Sequence, residues 1–214
     1  KRNDTWELAT LPKGHKAIGT KWVYKVKRNA QGVVEKNKAR LVAKGYSQKH
    51  GIDYEDVFAP VARLETIRLI ISMAAQNMWN IFQMDVKSAF LNGYLEEDVY
   101  IQQPEGYVVK GHEDKVLKLK KALYGLKQAS RAWYNRIDKY FRDHGFVKCP
   151  DEHALYVKND ENAGFMLVCL YVDGLIFTGN NAQMIEEFKK AMTLEFKMTD
   201  LGLMSYYLGM EIRQ

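Results

Sequence analysis

Cysteine and proline are both scarce in this chain of 214 residues. Two cysteines, Cys149 and Cys169, cannot frame a disulfide scaffold, and they fit a reducing, intracellular setting. Only four prolines punctuate the chain, and no internal repeat or low-complexity tract interrupts it. The longest unbroken apolar run, Phe165 to Val172, is eight residues. A membrane-spanning helix needs roughly 20, so no membrane partner is expected. No basic segment followed by an apolar one opens the sequence, so no secretory signal is read there. A Gly-x-Ser-x-Gly elbow is also missing, and nothing points to acyl transfer.

What is present is a globular balance of 47% hydrophobic and 27% charged residues, enough for one domain or two lobes. Net charge is +6, and it is unevenly spread. Residues 1–60 carry 13 Lys/Arg against 6 Asp/Glu, while the remainder carries 19 against 20. A positive excess confined to one end suits a polyanion, because phosphate contacts release condensed counterions. A solvated basic face without a partner accounts for the same charge.

Periodicity outlines mixed elements. The opening from Trp6 to Gly19 reads as irregular. Lys21 to Lys27 and Val33 to Lys44 alternate around the turn-like Asn29-Ala30-Gln31-Gly32, predicting a long hairpin. Alternation sets Lys25 and Lys27 on one face of it, and Lys38, Arg40 and Lys44 on one face of the return strand. Leu64, Ile67, Ile71, Ala74 and Met78 predict an amphipathic helix over 63–77. Residues 79–84 read as a strand ending at Asp85, and 88–91 as a short helix. Strands are predicted at 99–102, 116–119 and 154–157, a hairpin at 165–178 and a closing strand at 206–212. Helices are predicted at 128–144 and 182–194, the second with Met184, Phe188 and Met192 as a core stripe. Strands, hairpins and helices mixed in this way indicate an α+β fold.

Two aspartates end apolar strands. Asp85 follows Ile81-Phe82-Gln83-Met84, and Asp173 lies between Leu167–Val172 and Leu175-Ile176-Phe177. Carboxylates beside a core are costly unless paired, hydrogen-bonded or metal-bound. On neighbouring strands the pair would make a hard-oxygen site suited to Mg²⁺. Asp173-Gly174 is equally the preferred pair of a two-residue hairpin turn, and Asp85 an ordinary helix-start acid. Residues alone leave both readings open.

Several blocks resemble copia-type retrotransposon reverse transcriptases, in the family's order. They are Lys38 to Gln48 (KARLVAKGYSQ), Phe58-Ala59-Pro60-Val61, Asp85 to Gly93 (DVKSAFLNG), Gln103 to Tyr107 (QPEGY), Leu123 to Tyr134 (LYGLKQASRAWY) and Leu208 to Ile212 (LGMEI). The resemblance implies a right-hand polymerase with an antiparallel palm sheet backed by helices. The fingers would span roughly 1–79 and 96–129, and the palm roughly 80–95 and 130–214. It implies RNA- and DNA-directed DNA synthesis from deoxynucleoside triphosphates on a template-primer. Two Mg²⁺ ions, or Mn²⁺, about 4 Å apart would activate the primer hydroxyl and stabilise the leaving pyrophosphate.

By the same resemblance Asp85, Val86 and Asp173 would hold metal, with Asp85 and Asp173 catalytic. Lys27, Arg40, Lys87, Ser88, Ala89, Phe90 and Gly125 would meet the nucleotide, Phe90 by excluding a ribose 2′-hydroxyl. Gly125 matches the glycine beside the templating base. Lys25, Lys38, Lys44 and Tyr171 would face nucleic acid. The family's Tyr-x-Asp-Asp turn is written Tyr171-Val172-Asp173-Gly174 here, so its second aspartate is replaced. No segment resembles the family's thumb, RNase H or integrase, the implied partners in a pol polyprotein. Residence would be intracellular, cytoplasmic in a virus-like particle or nuclear. The alternative is a degenerate remnant that only binds nucleic acid.

Overall fold

The apolar runs of the second half of the chain pair with one another rather than with the basic hairpin. The computed structural model describes residues 4–29, 31–160 and 164–214. Its strands and helices are, in chain order, β1 (Trp6–Ala9), β2 (Thr20–Arg28), β3 (Val34–Ala43), α1 (Leu64–Asn77), β4 (Ile81–Val86), β5 (Tyr94–Ile101), β6 (Val116–Lys121), α2 (Ala129–Asp143), β7 (Val147–Lys148), β8 (Leu155–Asp160), β9 (Gly164–Tyr171), β10 (Gly174–Gly179), α3 (Ala182–Phe196), β11 (Met198–Leu203), β12 (Tyr206–Tyr207) and β13 (Met210–Glu211). The chain divides into two compact units, residues 1–58 with 90–136 and residues 59–89 with 137–214. The architecture is mixed α and β with antiparallel sheets, as expected.

In the first unit β1, β6 and β5 form a three-stranded antiparallel sheet, and β2 pairs with β3 as a separate hairpin. Val99, Ile101, Leu117 and Leu119 alternate inward and pack with Ala43, Leu123 and Leu126. Gly45 and Gly125 are needed where two backbones cross. Gly125 sits at φ +93°, and a Cβ on either glycine would overlap a carbonyl oxygen, that of Gly125 or of Ala43. Only glycine allows both the approach and the angle.

In the second unit six antiparallel strands run in the order β11-β4-β10-β9-β8-β7. Alternation divides their side chains between two buried faces. Ile81, Cys169 and Ile176 meet Ile67, Ile70 and Ala74 of α1. On the opposite face the Phe177 ring packs 5.0 Å from Phe188 of α3, and Tyr156 packs 4.7 Å from Phe141 of α2. Helix α3 begins where the Asn181 side chain accepts from the N–H groups of Gln183 and Met184, and it buries Met184, Phe188 and Met192 as predicted.

Several expectations are corrected. The opening stretch contains β1, which pairs with β6, and β11 was not foreseen. The closing strand over 206–212 is instead a small hairpin of β12 and β13, with Leu208 at φ +46° and Gly209 at φ +86° between them. Met78 does not join the α1 stripe. It caps the helix at φ +55° and is 92% exposed, and Ile70 takes the buried place. The short helix after Asp85 is a single 3₁₀ turn at Ala89–Asn92, preceded by Ser88 at φ +60°. The hairpin turn expected over 29–32 includes residue 30, which lies outside the described residues; Gly32 within it has φ +78°.

Candidate functional site

Strand pairing brings the two aspartates to one end of the six-stranded sheet. Asp85 of β4 pairs with Gly174 of β10 on one side and Thr199 of β11 on the other, while Gly174 pairs with Tyr171 of β9. Tyr171, Gly174, Asp85 and Thr199 therefore form one row across four strands, on the face that α1 covers further along. Asp173 is held beside the row because its carbonyl accepts from the Val86 N–H at 2.9 Å. Asp85 is exposed and Asp173 half-buried, so neither carboxylate is sealed in the core. Asp85 stands near the end of β4 and Asp173 in the turn that joins β9 to β10.

The turn is displaced by one residue from the Asp-Gly reading. Tyr171 pairs with Gly174, so Val172 and Asp173 are the two turn residues. Val172 takes φ +57°, while Gly174 does not lie at positive φ. A β-branched residue in the left-handed region is a strained choice. Gly174 is free of any such demand. A Cβ there would meet the Tyr171 carbonyl oxygen at 3.6 Å and that of Met84 at 3.9 Å, ordinary contacts. A larger residue at 174 would lie across from Asp85, with Cβ atoms about 5 Å apart.

The donor set suits a divalent cation in kind but is short in number. Asp85 and Asp173 offer hard carboxylate oxygens. Among the described residues no group of three or more His, Cys, Asp or Glu is assembled to hold a metal. The third carboxylate of the resembling motif corresponds to Gly174. Val86 has a buried side chain; Lys87 and Ser88 are exposed and Ala89 is fully buried.

Below the row lies a buried acid–base patch. The Tyr171 ring centre is 6.2 Å from that of Tyr207, which is 7% exposed and whose hydroxyl finds no hydrogen-bond partner. Burial raises the Tyr207 phenol well above its ordinary range, with Cys169, Tyr171 and Asp173 adding to it. The Cys169 thiol is pushed up to about 12, first by burial and then by Glu152. Both groups stay neutral and protonated at ordinary pH. Thr199 was not singled out from sequence, because its place depends on a pairing made over long range, and Tyr207, expected to be an exposed apolar residue, is buried.

In the first unit the basic hairpin has a one-sided face. Lys25 lies opposite Lys38, Lys27 opposite Lys36, and Arg40 opposite Val23. Like charges directly across a strand pair repel, and an anion laid on that face would relieve them. Lys44 falls just beyond β3, its N–H bonded to the Gly19 carbonyl at 2.8 Å. The Arg40 guanidinium lies 5.1 Å from the centre of the Tyr124 ring, and Phe90 packs at 4.6 Å from the same ring. Gly125 follows Tyr124 at the tight crossing described above. The same unit has a partly open apolar pocket of about 260 Å³ between Trp6, Trp22, Leu41, Tyr107 and Leu117. No described helix is long and apolar enough to cross a membrane.

Comparison with known proteins agrees with these motifs over nearly the whole chain. Residues 3–214 match the family described as "Reverse transcriptase (RNA-dependent DNA polymerase)". The chain is 41% identical over 211 residues to the retrovirus-related Pol polyprotein from transposon TNT 1-94 of Nicotiana tabacum, covering 99% of this chain and 16% of that protein. It is 40% identical over 214 residues to the Pol polyprotein from transposon RE1 of Arabidopsis thaliana, covering 14% of it. It is 29% identical over 212 residues to the Ty1-DR4 Gag-Pol polyprotein of Saccharomyces cerevisiae. The chain thus spans about one-sixth or less of these relatives' length. With the family matched from residue 3 to 214, this chain belongs to the reverse transcriptases of copia-type Pol polyproteins.

Proposed function

We propose that this chain is the fingers and palm of an RNA- and DNA-directed DNA polymerase whose catalytic turn is impaired. The observation that carries the reading is the end of the six-stranded sheet, where Asp85 on β4 and Asp173 in the β9–β10 turn are tied by the Val86–Asp173 bond. Residues 1–58 and 90–136 are read as fingers, and residues 59–89 and 137–214 as palm. The sequence alone drew different boundaries, at 79/80, 95/96 and 129/130, which set α1 with the fingers rather than with the palm.

Asp85 and Asp173 would hold divalent metal, Mg²⁺ or Mn²⁺, which when bound makes a primer hydroxyl a better nucleophile and balances charge on the triphosphate. This chain's own residues do the rest. The hairpin face of Lys25, Lys27, Lys38 and Arg40 attracts triphosphate and template-primer through charge. The Phe90 ring sets the space beside the sugar, so a ribose hydroxyl meets it by clash. Lys87 and Ser88 stand beside the aspartates at the start of the 3₁₀ turn. The partners in this reading are RNA or DNA template-primer, deoxynucleoside triphosphates and the thumb, RNase H and integrase of a polyprotein. Tyr206, 64% exposed, and Leu208, 43% exposed, fit an apolar edge that a thumb would cover, while Tyr207 is already buried. Residence would be intracellular.

Impairment follows from Gly174. Losing a carboxylate opposite Asp85 weakens charge balance at a centre where displacement by about 1 Å costs on the order of 10²-fold. The rival reading, a remnant that binds nucleic acid without synthesis, is favoured by the same glycine. Primer extension with Mg²⁺ and with Mn²⁺ separates them, using the chain joined to a relative's thumb segment. Gly174→Asp should raise the rate by about 10²-fold or more. Equal rates for both proteins would overturn the role given to position 174, and robust synthesis by the unaltered chain would remove the impairment.

A further inference from the structure

We propose that Tyr124 is a positioning residue that couples Arg40, on the triphosphate side, to Phe90, on the sugar side. This rests on the polymerase reading above and deepens it. The Tyr124 ring is shared. The Arg40 guanidinium lies 5.1 Å from its centre, inside cation–π range. The Phe90 ring centre is 4.6 Å away, tilted by 56°, a favourable aromatic pairing.

The ring's own backbone is fixed. The Tyr124 carbonyl accepts from the Ala43 N–H at 2.8 Å, and Gly125 is locked by its close approach to Ala43. Arg40 lies on β3, three residues before Ala43, so ring and guanidinium are referred to the same strand. All three side chains are half-buried, at the surface of the unit rather than in its core.

Phe90 also rests on the apolar core of the unit, which borders a pocket. Leu41, Leu91 and Leu123, the chain neighbours of Arg40, Phe90 and Tyr124, line that pocket of about 260 Å³. Tyr124 is the side chain in contact with both Arg40 and Phe90, so a displacement of one reaches the other through its ring. Movement of Arg40 toward a triphosphate then shifts the ring against which Phe90 rests. Affinity for the triphosphate and choice between deoxyribose and ribose become linked through one side chain.

Equilibrium binding of dCTP and of CTP with Mg²⁺ to the full chain tests this without requiring synthesis. Tyr124→Phe keeps the aromatic face and should leave both constants and their ratio unchanged. Tyr124→Leu should narrow the preference for dCTP over CTP by about fivefold. Tyr124→Met, which fills similar volume without an aromatic face, should do the same and serves if the leucine variant does not fold. Arg40→Ala should also narrow the ratio, and the combination with Tyr124→Leu should add little further, because the coupling is already broken. A ring that only fills space would weaken both nucleotides alike. An unchanged dCTP-to-CTP ratio in both the leucine and methionine variants therefore overturns the inference, whatever happens to affinity. Failure of the unaltered chain to bind dCTP at all overturns the polymerase reading, and the inference with it.

Discussion

The two units solve opposite problems with the same kind of antiparallel strand. In residues 59–89 and 137–214 the sheet is apolar on both faces, and helices from either side bury it. In residues 1–58 and 90–136 the longest strands, β2 and β3, form a two-stranded ribbon whose outer half is exposed and charged on one face. The first arrangement fixes two carboxylates by ladder bonds. The second sets like charges across from one another, Lys25 opposite Lys38 and Lys27 opposite Lys36, where an anion would relieve their repulsion. Precision of aim comes from burial, and attraction of a polyanion comes from leaving charge in water.

The largest effect that would sharpen this contrast is local to the glycine crossing. Gly45→Ala sets a methyl group against the Gly125 carbonyl and should cost about 3 kcal/mol or more. Native-state hydrogen exchange should show protection lost in β2, β3 and β6 but kept in β9 and β10. Equal loss in both units would erase the distinction between them.

Charge should dominate only in the first unit. Replacing Lys25, Lys27, Lys38 and Arg40 together by Ala should weaken duplex binding by about 10²-fold at low salt. The slope of log K against log salt should flatten by about 3–4. Fluorescence anisotropy across a salt series measures both, and an unaltered slope moves the binding face elsewhere.

Among the described residues of the second unit, one charged side chain, that of Asp138, is buried and satisfied internally. Asp138 is 5% exposed, accepts from the Tyr156 hydroxyl at 2.8 Å, and pairs with Arg142 at 2.8 Å and Lys148 at 3.1 Å. Asp138→Ala removes the acceptor of a fully buried hydroxyl and should cost about 2 kcal/mol in denaturant unfolding. A cost near zero would mean that water replaces the carboxylate and that this region is less sealed than its burial indicates.

The smallest effect lies in the turn between β9 and β10. Val172→Gly removes a β-branched residue from φ +57° and should stabilise the second unit by about 1 kcal/mol, seen as a raised Tm. Destabilisation would show that the Val172 side chain contributes more than its backbone costs.

Elements with strong periodicity were legible and those defined by their neighbours were not. Helix α3 announced itself through Met184, Phe188 and Met192 along one face. Strands β1 and β11 escaped notice because each is an edge strand, bonded on one side only, with little apolar alternation in Trp6–Ala9 or Met198–Leu203. The buried Asp138 looked like one more charge on a polar helix face, since nothing local announces that Tyr156 and Lys148 will close over it. Tyr124 stood within a recognisable block, but its contact with Arg40 spans 84 positions in the chain.

By itself the sequence determined the family, the strand-and-helix inventory of the core, the charge concentrated on one hairpin and the glycine at position 174. Those follow from residue type, spacing and order, which need no partner to be read. Only the tertiary structure decided that Val172 and Asp173, not Asp173 and Gly174, make the turn. Moving a two-residue turn by one position shifts the pairing register by two, which keeps every side chain on its own face, so apolar alternation is blind to the choice. The ladder that pairs Gly174 with both Tyr171 and Asp85 settles it, and that ladder joins strands nearly ninety residues apart in the chain.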